Sequence, residues 1–182
     1  NLSGKPKIWL NKNHSKNKNY VKQLKEDSAA YKVTNVEAIN TENAEFSPVF
    51  FNKNQAVLFA SNRRNTAARN KTFAWDDSYF IDMYTSNKKD SLKFESTVPM
   101  AKTISSTYHD GPASLSADEK TVYLTKSNII VKKIKGVAVN VINLKLYILT
   151  KDAEGKLSKP ENFPFNSNDY SVGHATVTKD GK

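Results

Sequence analysis

Few side chains in this sequence could transfer protons or hold a metal ion. It contains three histidines, His14, His109 and His174, and no cysteine. If His109 and His174 shared one cavity, they could bind a metal or act as an acid and a base near neutral pH. Tyr108-His109-Asp110 resembles part of a catalytic set, but no Gly-x-Ser-x-Gly turn supplies a nucleophile. The simpler interpretation gives His109 and His174 structural hydrogen bonds and leaves His14 in an irregular arm, so we predict no catalytic residue and no enzyme.

Carboxylates form a second chemical pattern. Trp75-Asp76-Asp77, together with Asp82, offers oxygen ligands of the kind that Ca²⁺ prefers. The spacing matches no calcium-binding loop, and a solvated loop is the simpler interpretation. Neither Gly-x-Gly-x-x-Gly nor a phosphate-binding P-loop is present. We therefore expect neither a metal nor an organic cofactor.

Basic residues form the third pattern. The chain has 28 Lys and Arg residues against 18 Asp and Glu, a net charge of +10. Only three of the basic residues are arginines, on which nucleic-acid recognition usually depends, so we expect no nucleic-acid partner. All the arginines lie in the polar segment 62–78, which predicts a docking loop for an acidic protein or anionic polymer, with a solvated loop as the alternative. The candidate binding residues of this docking loop are Arg63, Arg64, Arg69, Lys71 and Trp75.

The strands that must position such a loop are predicted from a sequence repeat. One segment occurs three times, at residues 46–61, 110–125 and 172–182. The copies align without gaps, and repeats of this kind are typical of β-propeller blades. Pro at the start of a strand and Asn, Asp or Gly in the turn suit a β-hairpin. The aligned and turn-forming residues are Pro48, Asn54, Gly111, Pro112, Asp118, Gly173, His174, Asp180 and Gly181.

Two of the copies extend into longer β patterns. After its hairpin, the first copy predicts strands over residues 79–85 and 92–98, so a first blade spans 46–98. The second copy repeats this order over 110–163. We therefore predict an all-β fold, a β-propeller of four-stranded antiparallel blades, with about two and a half blades in this chain.

Each blade carries an insertion at the same place. The docking loop is one, and residues 127–142 are the other, with enough Val and Ile for an extra hairpin turning at Lys135-Gly136. Equivalent positions predict that both insertions project from one face of the propeller. Repeat proteins often carry their binding function in such insertions.

The remaining segments set the domain boundaries. Residues 1–30 predict a linker and a short helix over 20–30, and residues 31–182 a partial propeller ending in the start of a third blade. Ile39-Asn40-Thr41 matches Phe165-Asn166-Ser167, with a weaker middle copy at Thr103-Ile104-Ser105. This match predicts that residues 31–41 form a clasp strand, which would close the ring against blades supplied by further sequence.

Three stretches, residues 58–63, 108–112 and 163–174, carry a resemblance that covers roughly residues 31–182. The hairpin pattern resembles the WD40-like repeat of TolB-type propellers. More closely, the chain resembles the propeller region of OmpA-family, peptidoglycan-associated outer-membrane lipoproteins linked to type 9 secretion and gliding motility. It departs from that pattern at Asn54-Gln55 and Asp118-Glu119, where Asp-Gly is usual.

The resemblance implies a non-catalytic scaffold for protein–protein interactions at the periplasmic side of the outer membrane. Attachment to peptidoglycan would pass through a domain that is not in this chain. The alternative is a propeller accessory domain of a hydrolase of the prolyl-oligopeptidase type, and a basic nucleic-acid or lipid-surface binder is a third hypothesis. The sequence contains no apolar run of about 18 residues, so it predicts no transmembrane segment. An OmpA-like or an α/β-hydrolase domain downstream would separate the first two hypotheses.

Overall fold

Almost all of the regular secondary structure in the computed structural model is β-strand. It describes residues 21–26, 32–65, 72–91, 93–101 and 104–181. The chain divides into two units, Asn1–Asn35 and Val36–Lys182.

The first unit contains a short helix at residues 21–26. Lys22 and Glu26 form an exposed ion pair of 3.9 Å along one helical face. The helix falls within the predicted range 20–30 and confirms that prediction over its described part. Residues 1–20 and 27–31, which include His14 and the rest of the predicted linker, lie outside the described residues.

The second unit contains two antiparallel sheets of four strands each. In both sheets, strands that follow one another in sequence pair with one another. The first sheet consists of β1 (Glu45–Phe51), β2 (Ala56–Ser61), β3 (Asp82–Asn87) and β4 (Val98–Pro99). The second consists of β5 (Asp110–Leu115), β6 (Thr121–Ile134), β7 (Val137–Thr150) and β8 (Glu161–Asn162). The predicted all-β class and the predicted order of strands are confirmed.

The fourth strand of each sheet is shorter than predicted. Only two residues of β4 and two of β8 pair with their neighbours. An isolated bridge precedes each of them, between Lys88 and Phe94 in the first sheet and between Lys151 and Leu157 in the second. The same irregular outer edge therefore occurs in both copies.

The predicted clasp strand is not formed in residues 32–41. Instead, the backbone N–H groups of Ile39 and Asn40 donate to the carbonyl of Val36, at 2.9 and 2.8 Å. Thr97 Oγ1 donates to the carbonyl of Ala38 at 2.9 Å and holds this turn against the first sheet. Because the turn uses these backbone groups locally, they do not form a strand ladder.

The third copy of the repeat also differs from its predicted strand. Residues 172–181 contain no strand, although Gly181 N–H donates to the carbonyl of Thr178 in the expected turn. The segment lies along the second sheet, where Val172 N–H donates to the carbonyl of Leu144 at 2.9 Å. Among the described residues, no strand pairs with this segment to form a β-ladder.

The main core lies between the two sheets. All six residues of β2 are buried, as its continuous apolar sequence predicts for a strand covered on both faces. One face of β2 packs toward the second sheet, and the other packs Phe59 against Tyr84, with ring centroids 6.1 Å apart. The buried residues of the main core are Leu58, Ala60, Met83, Ile104, Ala113, Val122, Leu124 and Leu149.

Two successive junctions are built in the same way. Asp110 N–H donates to the carbonyl of Ile81 at 2.8 Å, just as Val172 does to Leu144. Gly111, the next residue, abuts Met83 and Ala60 of the first sheet. Gly173 in turn abuts Thr125 and Leu144 of the second sheet. The second copy of the repeat therefore packs on the first sheet in the same way as the third copy packs on the second sheet.

The close approach at Gly111 leads to a stability prediction. A Cβ atom there would lie 2.8 Å from Met83 Sδ, and the φ angle of +138° disfavours any side chain. We expect Gly111→Ala to lower the free energy of unfolding by about 3 kcal/mol, measured by urea denaturation.

Gly155→Ala is the matched control. It has a similarly unfavourable φ of +78°, but nothing lies within 4 Å of its added Cβ. We expect a loss of about 1 kcal/mol at Gly155 from the backbone alone. Equal losses for the two variants would show that the junction at Gly111 is not closely packed.

Candidate functional site

Arg63, the first of the candidate binding residues, follows β2 and is largely buried against the first sheet. Its Nη2 atom is 2.9 Å from Glu45 Oε1, and the two side chains are only 14% and 8% exposed. The guanidinium also stacks 5.3 Å from the ring centroid of Phe59 and 5.0 Å from that of Tyr84. Nη2 donates further to the carbonyl of Ile39. These contacts commit Arg63 to holding the Val36 turn on the sheet.

The carboxylate of Glu45 is held from several sides. Thr41 donates to it through its backbone N–H at 3.0 Å and through its hydroxyl at 2.7 Å, and Ser61 Oγ donates at 3.0 Å. Burial raises the pKa of Glu45, but the hydrogen bonds from Thr41, Ser61 and Arg63 outweigh burial and leave this pKa below its ordinary value. Glu45 is therefore ionised at neutral pH.

A second buried ion pair occupies the same place in the second sheet. Lys126 Nζ lies 3.1 Å from Asp110 Oδ1, with side-chain exposures of 12% and 1%. Ser106 donates to Asp110 through its backbone N–H and, at 2.7 Å, through its hydroxyl, as Thr41 does to Glu45. Lys126 donates to the carbonyl of Ile104, as Arg63 does to Ile39.

This equivalence corrects the alignment of the connecting segments. Ile104-Ser105-Ser106, one residue later than the predicted Thr103-Ile104-Ser105, is the structural counterpart of Ile39-Asn40-Thr41. The signal available in the sequence is a Thr or Ser followed four residues later by an acid, with a cation shortly after the second strand. The gapless alignment missed it by placing Ile39 opposite Thr103, because the stretch from the isoleucine to the aligned proline is one residue shorter in the second copy.

The lowered pKa of Glu45 leads to a pH prediction. A carboxyl whose pKa is lower in the folded state stabilises the fold above its unfolded pKa, and this stabilisation is lost as the pH falls through the folded pKa. We expect the free energy of unfolding to decrease between about pH 6 and pH 3, and this decrease to be smaller in Glu45→Gln, measured by urea titrations followed by circular dichroism. At neutral pH the variant should be about 2 kcal/mol less stable.

Glu154→Gln is the control, because Glu154 is exposed in a turn of the second sheet. The free energy of unfolding of Glu154→Gln should depend on pH in the same way as that of the parent chain. A Glu45→Gln variant with the same acid dependence as the parent would contradict a structural role for the Glu45 carboxylate.

Trp75 is presented at the tip of a small, well-defined hairpin in the docking loop. Thr72 and Tyr79 form a β-bridge, and Phe73 N–H donates to the carbonyl of Ser78 at 2.7 Å. The Trp75 side chain is 87% exposed at the turn between them. A large aromatic residue in this position is unusual on a surface and is suited to contact with a partner.

The carboxylates around Trp75 serve the turn and do not converge. Asp76 Oδ1 accepts from Ser78 N–H at 3.0 Å, and hydrogen bonds from Ser78 lower the pKa of Asp76. Asp82 is buried in the sheet, where its Oδ2 accepts from Asn65 Nδ2 at 3.2 Å. Asp76 and Asp82, two of the three acids of the Ca²⁺ hypothesis, are thus engaged in separate local contacts.

His109 fixes the base of the docking loop. Its ring centroid lies 4.9 Å from that of Phe73 and 4.9 Å from that of Phe80, and Nδ1 accepts from Ile81 N–H at 3.2 Å. The structural interpretation of His109 is therefore confirmed.

The other predicted loop residues divide into two groups. Arg64 is exposed at the described end of the segment that begins the loop. Arg69 and Lys71 lie outside the described residues. Of the predicted docking set, the structure thus offers Trp75 and Arg64 at the surface and places Arg63 in the sheet.

The second insertion forms the predicted hairpin. β6 and β7 continue as a ladder from Ser127↔Leu144 to Ile134↔Val137, and the chain turns at Lys135-Gly136. Both turn residues have positive φ, 50° and 82°, as the tight turn of a twisted two-residue hairpin requires. We call residues 127–142 the hairpin extension. Ser127 N–H donates to the carbonyl of His109 at 2.8 Å, so His109 contacts both insertions and places them at one end of the sheets.

An open groove of about 280 Å³ lies where the three copies of the repeat meet. The aligned residues Pro48, Pro112 and His174 all line it. β1 and β5 each change register beside it, between Phe46 and Val49 and between Asp110 and Ala113. His174 N–H donates to Thr125 Oγ1 at 2.8 Å, which fixes the third copy beside the other two. We call this the inner groove; its lining is Ser47, Pro48, Val49, Pro112, Ala113, Ser114, His174, Ala175 and Thr176.

The described residues contain no group of three or more histidine or carboxylate side chains placed to hold a metal ion. In that same part of the chain, no helix is long and apolar enough to cross a bilayer. The chain matches no protein-family model, no curated protein and no solved structure with which it was compared.

Proposed function

We propose that this chain is part of a β-propeller and acts as a non-catalytic scaffold for protein–protein contacts in a bacterial cell-envelope complex. The two sheets are its first two blades, and residues 172–181 begin the third. Further sequence supplies the blades that complete the ring. Its partners are other envelope proteins, which bind the insertions at one end of the blades.

The inner groove is the observation that carries this proposal. In a propeller, the first strand of each blade lines the central channel, and small side chains are needed there. The groove is lined by the first segments of all three copies, including Ala113, Ser114 and Ala175. Three segments aligned in sequence thus converge in space, as radial repetition requires.

The repeated junctions support the same arrangement. The backbone hydrogen bonds of Asp110 and Val172, and the close contacts of Gly111 and Gly173, relate each copy to the sheet before it. A propeller grows by repeating one such junction around an axis. A two-sheet sandwich would instead pair two inner faces and need no third copy.

The position of the two insertions supports the scaffold role. Trp75 projects from a hairpin whose base is packed on His109, and the hairpin extension leaves the sheets at the same end. Rigid presentation of an exposed tryptophan reduces the entropy lost on binding. The carboxyls of lowered pKa, Glu45, Asp76 and Asp118, all have local structural hydrogen bonds that account for their shifts.

The envelope location rests on the resemblance of residues 108–112 and 163–174 to OmpA-family lipoproteins of type 9 secretion and gliding-motility systems. In the structure, the first of these stretches contains His109, Asp110 and Gly111, which form the junction between the sheets. We propose the periplasmic side of the outer membrane as the site of action. Contact with peptidoglycan passes through a separate domain.

Photo-crosslinking from position 75 tests the scaffold proposal. Trp75 is replaced by p-benzoylphenylalanine, and the envelope fraction of cells that produce the protein is irradiated. We expect crosslinks to a defined envelope protein, and about thirtyfold weaker binding of that protein to Trp75→Ala, as for an aromatic residue at the centre of an interface.

Phe165, which is 71% exposed, provides the control position for the same crosslinker. It should give no specific product. Equal crosslinking from both positions, or unchanged binding of the partner by Trp75→Ala, would contradict the proposed role of the docking loop.

A further inference from the structure

The hairpin extension exposes apolar side chains on both faces of a two-stranded ribbon. Along a strand, alternate residues point to opposite faces. Ile134 and Val137, which are 53% and 63% exposed, pair on one face. Val131, at 69% exposure, and Ile142, at 55%, lie on the other face. The ribbon therefore has no polar face that would be its solvent side.

Lysines accompany these apolar residues on both faces as well. Lys132 shares the face of Ile134, Lys133 shares the face of Val131, and Lys135 lies in the turn. The sequence from Lys120 to Lys151 contains seven lysines and no acidic residue. The nearest opposite charge at the ribbon is Asp169, whose Oδ1 atom lies 3.0 Å from Lys132 Nζ.

From this pattern we propose that the tip of the hairpin extension docks on an anionic lipid surface. Ile134 and Val137 enter the boundary between headgroups and acyl chains, and Lys133 and Lys135 contact the lipid phosphates. The inference depends on the hairpin geometry alone and not on the propeller or the scaffold role.

The two-sided pattern of the hairpin extension favours a lipid surface over a protein groove. A protein groove covers one face of a two-stranded ribbon and leaves the other in water. A bilayer interface entered end-on surrounds both faces, and both faces of the extension carry a lysine beside an exposed apolar side chain. Apolar side chains together with lysines are the combination by which peripheral proteins bind anionic membranes.

The depth of insertion follows from the backbone. Outward-facing backbone N–H and C=O groups along a two-stranded ribbon need water, so the ladder cannot enter hydrocarbon. Only the last pair, Ile134 and Val137, with the turn at Lys135-Gly136, extends past Lys132 and Lys133. The long lysine side chains can bend back to the phosphates while their methylene groups stay in the apolar layer.

Cosedimentation of the whole chain with vesicles tests the proposal. The probes are vesicles of equal parts phosphatidylcholine and phosphatidylglycerol, and vesicles of phosphatidylcholine alone. We expect binding to the anionic vesicles only, weakened by added salt. Lys133→Gln with Lys135→Gln should weaken it about thirtyfold, at roughly fivefold per lysine. Ile134→Ser with Val137→Ser should weaken it about tenfold through lost burial of apolar surface.

Lys89→Gln with Lys159→Gln is the charge-matched control, because both lysines are exposed and lie outside the hairpin extension. Its binding should stay within about twofold of the parent, since lysines away from the membrane contribute little. All variants alter exposed side chains, so equal thermal unfolding transitions should show that they are folded.

Three results would overturn the proposal. One is equal weakening by the control lysines, which would indicate general attraction of a basic protein. Another is unchanged vesicle binding by Ile134→Ser with Val137→Ser. The third is a dimer in sedimentation velocity that these two substitutions dissociate, without any vesicle binding, because the tip would then contact a second copy of the chain.

Discussion

The buried ion pairs are the interaction on which the rest of the structure depends. A carboxylate at the start of β1 or β5 must be compensated, because an unpaired buried charge costs several kcal/mol. Glu45 and Asp110 are compensated by a cation from the end of the second strand and by a hydroxyl and an N–H four residues earlier. Each pair thus joins the connecting segment, the first strand and the second strand at one point.

The insertions are positioned through these same points. Arg63 follows the end of β2 at the start of the docking loop, and Lys126 lies in β6 next to the first residue of the hairpin extension. The two loops therefore begin from backbone that is already fixed by charge and hydrogen bonds. Sequence variation in the loops can proceed without disturbing the sheets, as is common for functional loops on rigid scaffolds.

Much of the fold was predictable because it follows from local patterns. The apolar run at residues 57–59 predicts the burial of β2, and the Val and Ile content around Lys135-Gly136 predicts the hairpin extension and its turn. The structural role of His109 was also predicted. In each case the period of apolar residues or the conformational needs of a turn residue act within a few positions of the chain.

The failures arose where a residue's partner is distant in sequence. Arg63 was assigned to a docking surface because it stands in a basic run, yet its contacts with Glu45 and Ile39 cross about 20 residues and cannot be inferred from spacing alone. Residues 36–40 are a different case, because they form a turn in which Ile39 and Asn40 donate locally to the carbonyl of Val36. The contacts of Arg63 are tertiary and leave no periodic signal in the sequence.

The repeated junction at Gly111 and Gly173 has a consequence for cooperativity. Each copy contacts the sheet before it, so the stability of such an array is a sum of sheet terms and nearest-neighbour terms, like a one-dimensional chain of coupled units. Perturbations at the two junctions should therefore add almost independently. Evolution could lengthen or shorten such an array by whole units without redesigning any interior contact.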